Sequence, residues 1–480
     1  MKVYSIENGN QQNNEPMTNQ LLITAIITTF AGGFHFGYLI SAVNPLSDIL
    51  QLFIFDNVER RYQLSLSPTE LSLIWSTLAG CLFIGAMVGS YIFIGILPNI
   101  GPRKSLLAAA ILLLFSSPIF GLAHVFDMVE LLPISRCLSG VGFGIGISAQ
   151  AVYLTEISPI KYRGFTNSLS GLVGNIAFLL ASILGTPYVL GGKDNWMFIF
   201  FMEVVPCLIH ILFNCTYFHE SPKYLILQNK TVEAKSSLLA FHGKENERII
   251  EDIQMELRMM KKENDTVRIF KDKGALRALS LSVAINFSVA FSGIVAMSFF
   301  GTFLLQTVGF SKEISTIANC FCSFASIISA LLATFTMDRL GRRVLLITSL
   351  LVLALIDILM MILVYLFDST KNETLAWPFL FLFVSFLFVF SVGIGPAAVF
   401  LGAELAPPGT ISKVQSYSVS VQYIGSFICP ILYMYLSSSI GAPSFLLFIV
   451  PLTVTAAYFY VYLPETKGKT ATEINDLLRK

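Results

Sequence analysis

From Arg136 to Gly164 the chain reads "RCLSGVGFGIGISAQAVYLTEISPIKYRG". After Arg136 nothing ionisable appears until Glu156, glycines fall at 140, 142, 144 and 146, and the end carries Lys161 and Arg163. An apolar run of about 20 residues closed by a charged corner is what one membrane crossing needs. The "GVGFGIG" run lies inside the apolar segment, where small residues let helices pack closely, and not on the strand-to-helix turn of a nucleotide loop.

The same design extends outward. The 480 residues are 55% hydrophobic and 13% charged, with a mean hydropathy of +0.72, which places the chain among integral membrane proteins. A net charge of +1 argues against a nucleic-acid partner. Apolar spans fall at roughly 21–43, 71–96, 104–124, 129–153, 165–186, 196–217, 274–300, 314–336, 344–366, 376–403, 411–436 and 443–463. The expected fold is therefore all-α, with twelve transmembrane helices and no strand. With both termini cytoplasmic, 25 of the 31 Lys and Arg residues lie on that side, as the positive-inside rule demands. Trp75, Trp196 and Trp377 then fall at outer span ends. The polar N-terminus has no basic run or cleavage site, so the first span reads as retained and not as a signal peptide. The seven cysteines lie in or beside apolar segments, which argues against a disulfide framework.

The chain repeats its corners. "NIGPRK" (99–104) is echoed by "DRLGRR" (338–343), "TEISPIKYRG" by "AELAPPGTISK", and "ESPKYL" by "PETKGKT". Two six-helix halves follow, 21–219 and 274–463, flanked by a tail at 1–20, a charged helical linker at 220–273 and a tail at 464–480. Such duplication is the layout of an alternating-access transporter. The corner charges Arg103, Glu156, Arg163, Glu220, Asp338, Arg339, Arg342, Arg343, Glu404 and Glu465 read as a cytoplasmic latch pairing one half with the other, each pair worth about 0–1 kcal/mol.

Together these strings resemble the sugar porter family of the major facilitator superfamily, and within it the animal facilitative glucose transporters. The resemblance implies a major facilitator fold and movement of a sugar. The first corner departs from the family by a residue and by Pro102, and Ile411 stands where the family has Arg, with Lys413 nearby. The family's sugar-binding amides are largely replaced. Its helix-seven glutamine pair and later asparagine correspond to Val289, Ala290 and Val295, its helix-five glutamine to Gly171, and its helix-ten tryptophan to Val399. Polar candidates for solute binding are Asn286, Ser298, Ser326, Ser391, Gln422 and Tyr423, with Thr302 alongside. The gate set is Tyr38, Phe299, Phe300, Gly393 and Pro396. Losing three neutral hydrogen bonds costs roughly 1.5–4.5 kcal/mol, so hexose affinity should fall well below the family's.

Proton-coupled relatives carry an aspartate directly after "FGY"; here that position is Leu39, which implies uncoupled movement. His35 reads as a helix-packing or lining residue and Asp357 as a structural intramembrane acid. Asn372, in "NET", is the one glycosylation candidate in an outside loop. The five histidines lack metal-ligand spacing, and no metal or other cofactor is expected. The reading is a plasma-membrane uniporter of a small neutral solute, a hexose by resemblance. Its alternatives are a less polar metabolite or polyol, and a non-transporting sensor.

Overall fold

The computed structural model describes residues 17–243, 249–251, 253–254, 272–336, 341–407, 410–466, 474 and 477–479. Asp338, Arg339, most of the linker and the side chain of Val399 lie outside the described residues. Among the described residues, eleven helices are long and apolar enough to cross a membrane. One of them, Pro68–Val125, has 58 residues and breaks at Gly101 (φ 79°). That length is about twice what a bilayer needs, so the helix supplies spans two and three and the total is twelve. The protein is a multi-pass membrane protein in which each span satisfies its own backbone.

Spans four and five are Leu131–Ile157 and Arg163–Leu184. Spans eight, nine and eleven are Lys312–Thr336, Arg342–Thr370 and Ile411–Ile440, and span twelve is Ala442–Tyr462. We call the end of the bundle that carries both chain ends the terminal face, and the other the far face.

The glycines of the opening stretch make the closest packing. A Cβ on Gly140 would sit 2.2 Å from the Leu82 carbonyl, and one on Gly144 2.1 Å from that of Ala86, so span four lies directly on the backbone of span two.

Four spans are broken. Span one runs Asn19–Thr28, then a 3₁₀ turn at Thr29–Ala31, then Gly33–Ser41. Span six divides at Glu203 into Met197–Met202 and Val204–Thr216. Span seven divides into Lys273–Ala290 and Ile294–Gln306, with Gly293 between them at φ 95°, a conformation that glycine alone adopts freely. Span ten divides at Gly393 into Ala376–Val392 and Ile394–Leu405.

A helix not anticipated from the sequence, Ser47–Tyr62, lies at the far face. Its Arg60 pairs with Asp127 at 2.9 Å and its Arg61 with Glu130 at 2.6 Å, while Tyr62 bonds the same Glu130. The tryptophan expectation holds only in part. Trp75 and Trp196 are buried inside the protein, where aromatic neighbours surround Trp196, and only Trp377 is exposed.

The linker begins as two short helices, Pro222–Leu227 and Thr231–His242, docked under the first half. Thr18 donates to the Phe241 carbonyl at 2.9 Å, and His242 Nε2 lies 3.2 Å from the Ile157 carbonyl.

Candidate solute-binding site

Where the halves meet at mid-membrane, the lining is aromatic. Phe83 of span two packs edge-on to Phe299 of span seven (5.8 Å between centroids) and stacks on Tyr423 of span eleven (6.3 Å). Phe143 of span four also meets Tyr423, and Phe36 stacks on Phe143. Phe299 and Phe300, read as gate residues, are fully buried and offer bulk without hydroxyls.

The positions read as lacking the family's amides differ in how they pack. Val289, Ala290 and Val295 are all buried, and a Cβ on Gly425 of span eleven would fall 2.7 Å from the Ala290 Cβ. Small residues on both helices have thus let span eleven close onto span seven. Gly171 is the opposite case: a Cβ there meets nothing within 4 Å.

Asn286 is buried, and its Nδ2 donates to the Ser282 carbonyl at 2.8 Å and to that of Ala398 at 3.5 Å, while Oδ1 has no partner. Ser326 donates to the Cys322 carbonyl of its own helix. Ser391, Pro396 and Gln422 are half-buried on spans ten and eleven. At the kink of span ten, a Cβ on Gly393 would collide with Ser349 of span nine at 2.3 Å. Tyr38, expected at a gate, donates to the Ile199 carbonyl at 2.6 Å, so its ring is tied to span six inside its own half.

The residue that bridges the halves was missed in the sequence. Asn44, just past the end of span one, donates to the Ser298 carbonyl and accepts from the Thr302 N–H, each at 3.0 Å. Ser298 therefore meets the other half through its backbone. Nearby at the far face, Lys312 pairs with Asp48 at 3.0 Å, and Ser182 of span five lies 3.3 Å from Ser323 of span eight. The signal for Asn44 was only a lone amide beside Pro45, which sequence alone cannot tell from a turn.

The family model described as "Sugar (and other) transporter" matches residues 24–478. The chain belongs to this sugar transporter family. It is 26% identical over 461 residues to the facilitated glucose transporter member 7 of Mus musculus, covering 95% of this chain and 89% of that protein. It is 27% identical over 461 residues to member 3 of Ovis aries, covering 94% and 92%. Among solved structures, the partially occluded inward-open form of the xylose transporter XylE from E. coli superposes with a TM-score of 0.78. The identity is 18%, and the match covers 94% of this chain and 100% of that one. The fold is that of the major facilitator superfamily.

The repeated corners of this sugar transporter differ from the expected latch. Glu220 accepts from the Arg103 N–H at 3.1 Å, at the start of span three. Its echo Glu465 accepts from the N–H groups of Arg342 and Arg343 at 2.9 and 3.2 Å, at the start of span nine. Each carboxylate thus caps a helix N-terminus of its own half, where unpaired N–H groups and the helix dipole favour an anion. The next residues repeat the pattern: Ser221 donates to Glu156 at 2.5 Å, and Thr466 to Glu404 at 3.0 Å.

Arg342 lies 3.8 Å from Glu404, Arg343 reaches the Tyr460 carbonyl, Arg103 the Asn214 carbonyl and Arg163 the Ser158 carbonyl. All of these contacts join parts of one half. Burial pushes the Glu220 carboxyl up, opposed by the Ser221 and Arg103 N–H groups and by the charges of Arg103 and Lys104.

Three ionisable side chains meet inside the first half. His35 Nδ1 lies 2.6 Å from Glu203 Oε1, both fully buried, and His35 Nε2 is 3.6 Å from Cys207 Sγ. Arg136, also buried, donates to the Leu39 carbonyl at 2.7 Å and lies over the Phe120 ring at 5.3 Å, with Nε and Nη2 unpartnered. His35 is thus a packing residue in this structure, joining spans one and six. Asp357 is fully buried in span nine, and neither of its carboxyl oxygens has a partner.

Proposed function

We propose that the chain is a facilitative transporter that moves a small neutral solute, a hexose such as glucose or fructose, by alternating access. The observation that carries this is the way the halves are joined. The corner carboxylates Glu220 and Glu465 each bond the start of a span in their own half, while Asn44 and its neighbours staple the halves across the far face. Two internally braced bodies held by a few weak seam contacts can rock about a central site.

Uncoupled movement is supported by Leu39 after "FGY" and by the burial of both deep acids, Glu203 and Asp357. The distribution of Lys and Arg supports a cytoplasmic terminal face. The buried apolar positions 289, 290 and 295 favour a second reading, a less polar non-hexose metabolite.

The test is uptake of radiolabelled glucose and fructose into proteoliposomes, with and without an imposed proton gradient. Saturable uptake that equilibrates, and is not concentrated by the gradient, fits the proposal. Accumulation under the gradient overturns uniport, and absence of any hexose uptake overturns the solute class.

A further inference from the structure

Resting on that transport reading, we propose that Asn175 on span five is a solute-contacting residue, its amide bonding a hydroxyl of the neutral solute in place of the side chain that Gly171 lacks. Gly171, Asn175, Phe178 and Ser182 follow at four, three and four residues and so share one helix face. The far end of that face is fixed by contact. Ser182 Oγ lies 2.8 Å from Ser41 Oγ of span one and 3.3 Å from Ser323 Oγ of span eight. The stripe therefore looks onto the seam between the halves.

The membrane side of span five is a different stripe, about 100° round the helix, made of the exposed apolar side chains Phe165, Ile176 and Ile183. An amide has no reason to face lipid, where it would be unpaired. At Gly171 the seam is open, and one turn on Asn175 Nδ2 donates to the Gly171 carbonyl at 2.9 Å. That bond holds the amide beside the open space. Oδ1 has no partner among the described residues and remains an acceptor for a hydroxyl donor. On span eight, Asn319, Ser323 and Ser326 form a facing polar stripe by the same spacing.

Two readouts test this. In proteoliposomes of a Cys215→Ser background, Asn175→Cys should react with a hydrophilic maleimide and be protected by hexose, while Ile176→Cys should not react. In uptake, Asn175→Leu should raise KM about 2- to 13-fold with Vmax nearly unchanged, the range for one neutral hydrogen bond, and Asn175→Gln should recover part of it. Ile176→Ala should leave KM as it is. An unreactive Asn175→Cys, or an unchanged KM in Asn175→Leu, overturns the assignment while leaving transport intact. If the unmodified protein moves no hexose, the functional reading fails and the hexose-hydroxyl contact fails with it. Labelling at 175 then decides alone whether the side chain faces the translocation path.

Discussion

Replacing Glu203 by Gln keeps the volume of the side chain and removes one charge from a fully buried cluster. Glu203 Oε1 lies 2.6 Å from His35 Nδ1 with both side chains fully buried, so the carboxylate is one partner of a buried pair. Stripping one partner from a buried pair costs about 3–5 kcal/mol, because the remaining ion is left in a low-dielectric interior. Spread over a six-span half of some 200 residues, that corresponds to a drop of roughly 6–20 °C in unfolding temperature.

The assay is thermal unfolding of the detergent-solubilised protein, followed by loss of the monodisperse peak. The companion variant Glu203→Gln/His35→Gln removes both partners and should regain most of the loss, since a buried pair replaced by neutral groups is often close to neutral in stability. A single variant within about 2 °C of the parent, or a double variant no better than the single, would refute the account of Glu203 as the buried partner of His35 that ties spans one and six together.

Asn44→Ala removes two seam hydrogen bonds, worth about 1–3 kcal/mol together, and should shift the population toward a far-face-open form. Faster labelling of a cysteine placed at Ser298 would register this, and an unchanged rate would contradict it. His242 is held below its ordinary value, first by burial and then by the Arg163 charge, against the Ile157 carbonyl. The unfolded chain therefore binds the extra proton, so stability should rise with pH up to about 6.5 and level off above. The slope should be shallower in His242→Gln than in the parent when melting is followed from pH 5 to 8. Glu465→Gln weakens the cap on span nine and should cost about 1–2 kcal/mol in unfolding midpoint, read by the same melting assay. Asn372 is exposed in its loop, and in an animal cell Asn372→Gln should abolish the mass shift produced by a glycosidase.

Much of this protein was decided by local pattern. Span length and spacing alone gave twelve crossings in two halves, because a backbone in lipid has no option but a helix of about 20 residues. The corner echoes at Glu220 and Glu465 were equally legible.

What those residues touch was not legible. Glu220 and Glu465 looked like members of an interhalf latch, and in the structure they accept from the N-termini of spans three and nine, each in its own half. Glu203 drew no notice in an apolar segment, yet it meets His35 from 168 positions away. Asn44 bonds a helix more than 250 residues downstream, and Asn175 matters only because Gly171 leaves space beside it. Hydropathy is a property of each segment taken singly, so sequence fixes how many helices form and where they turn. A polar contact inside a bilayer needs two partners from distant segments at the same depth and facing angle, and only the packed tertiary structure sets those two quantities.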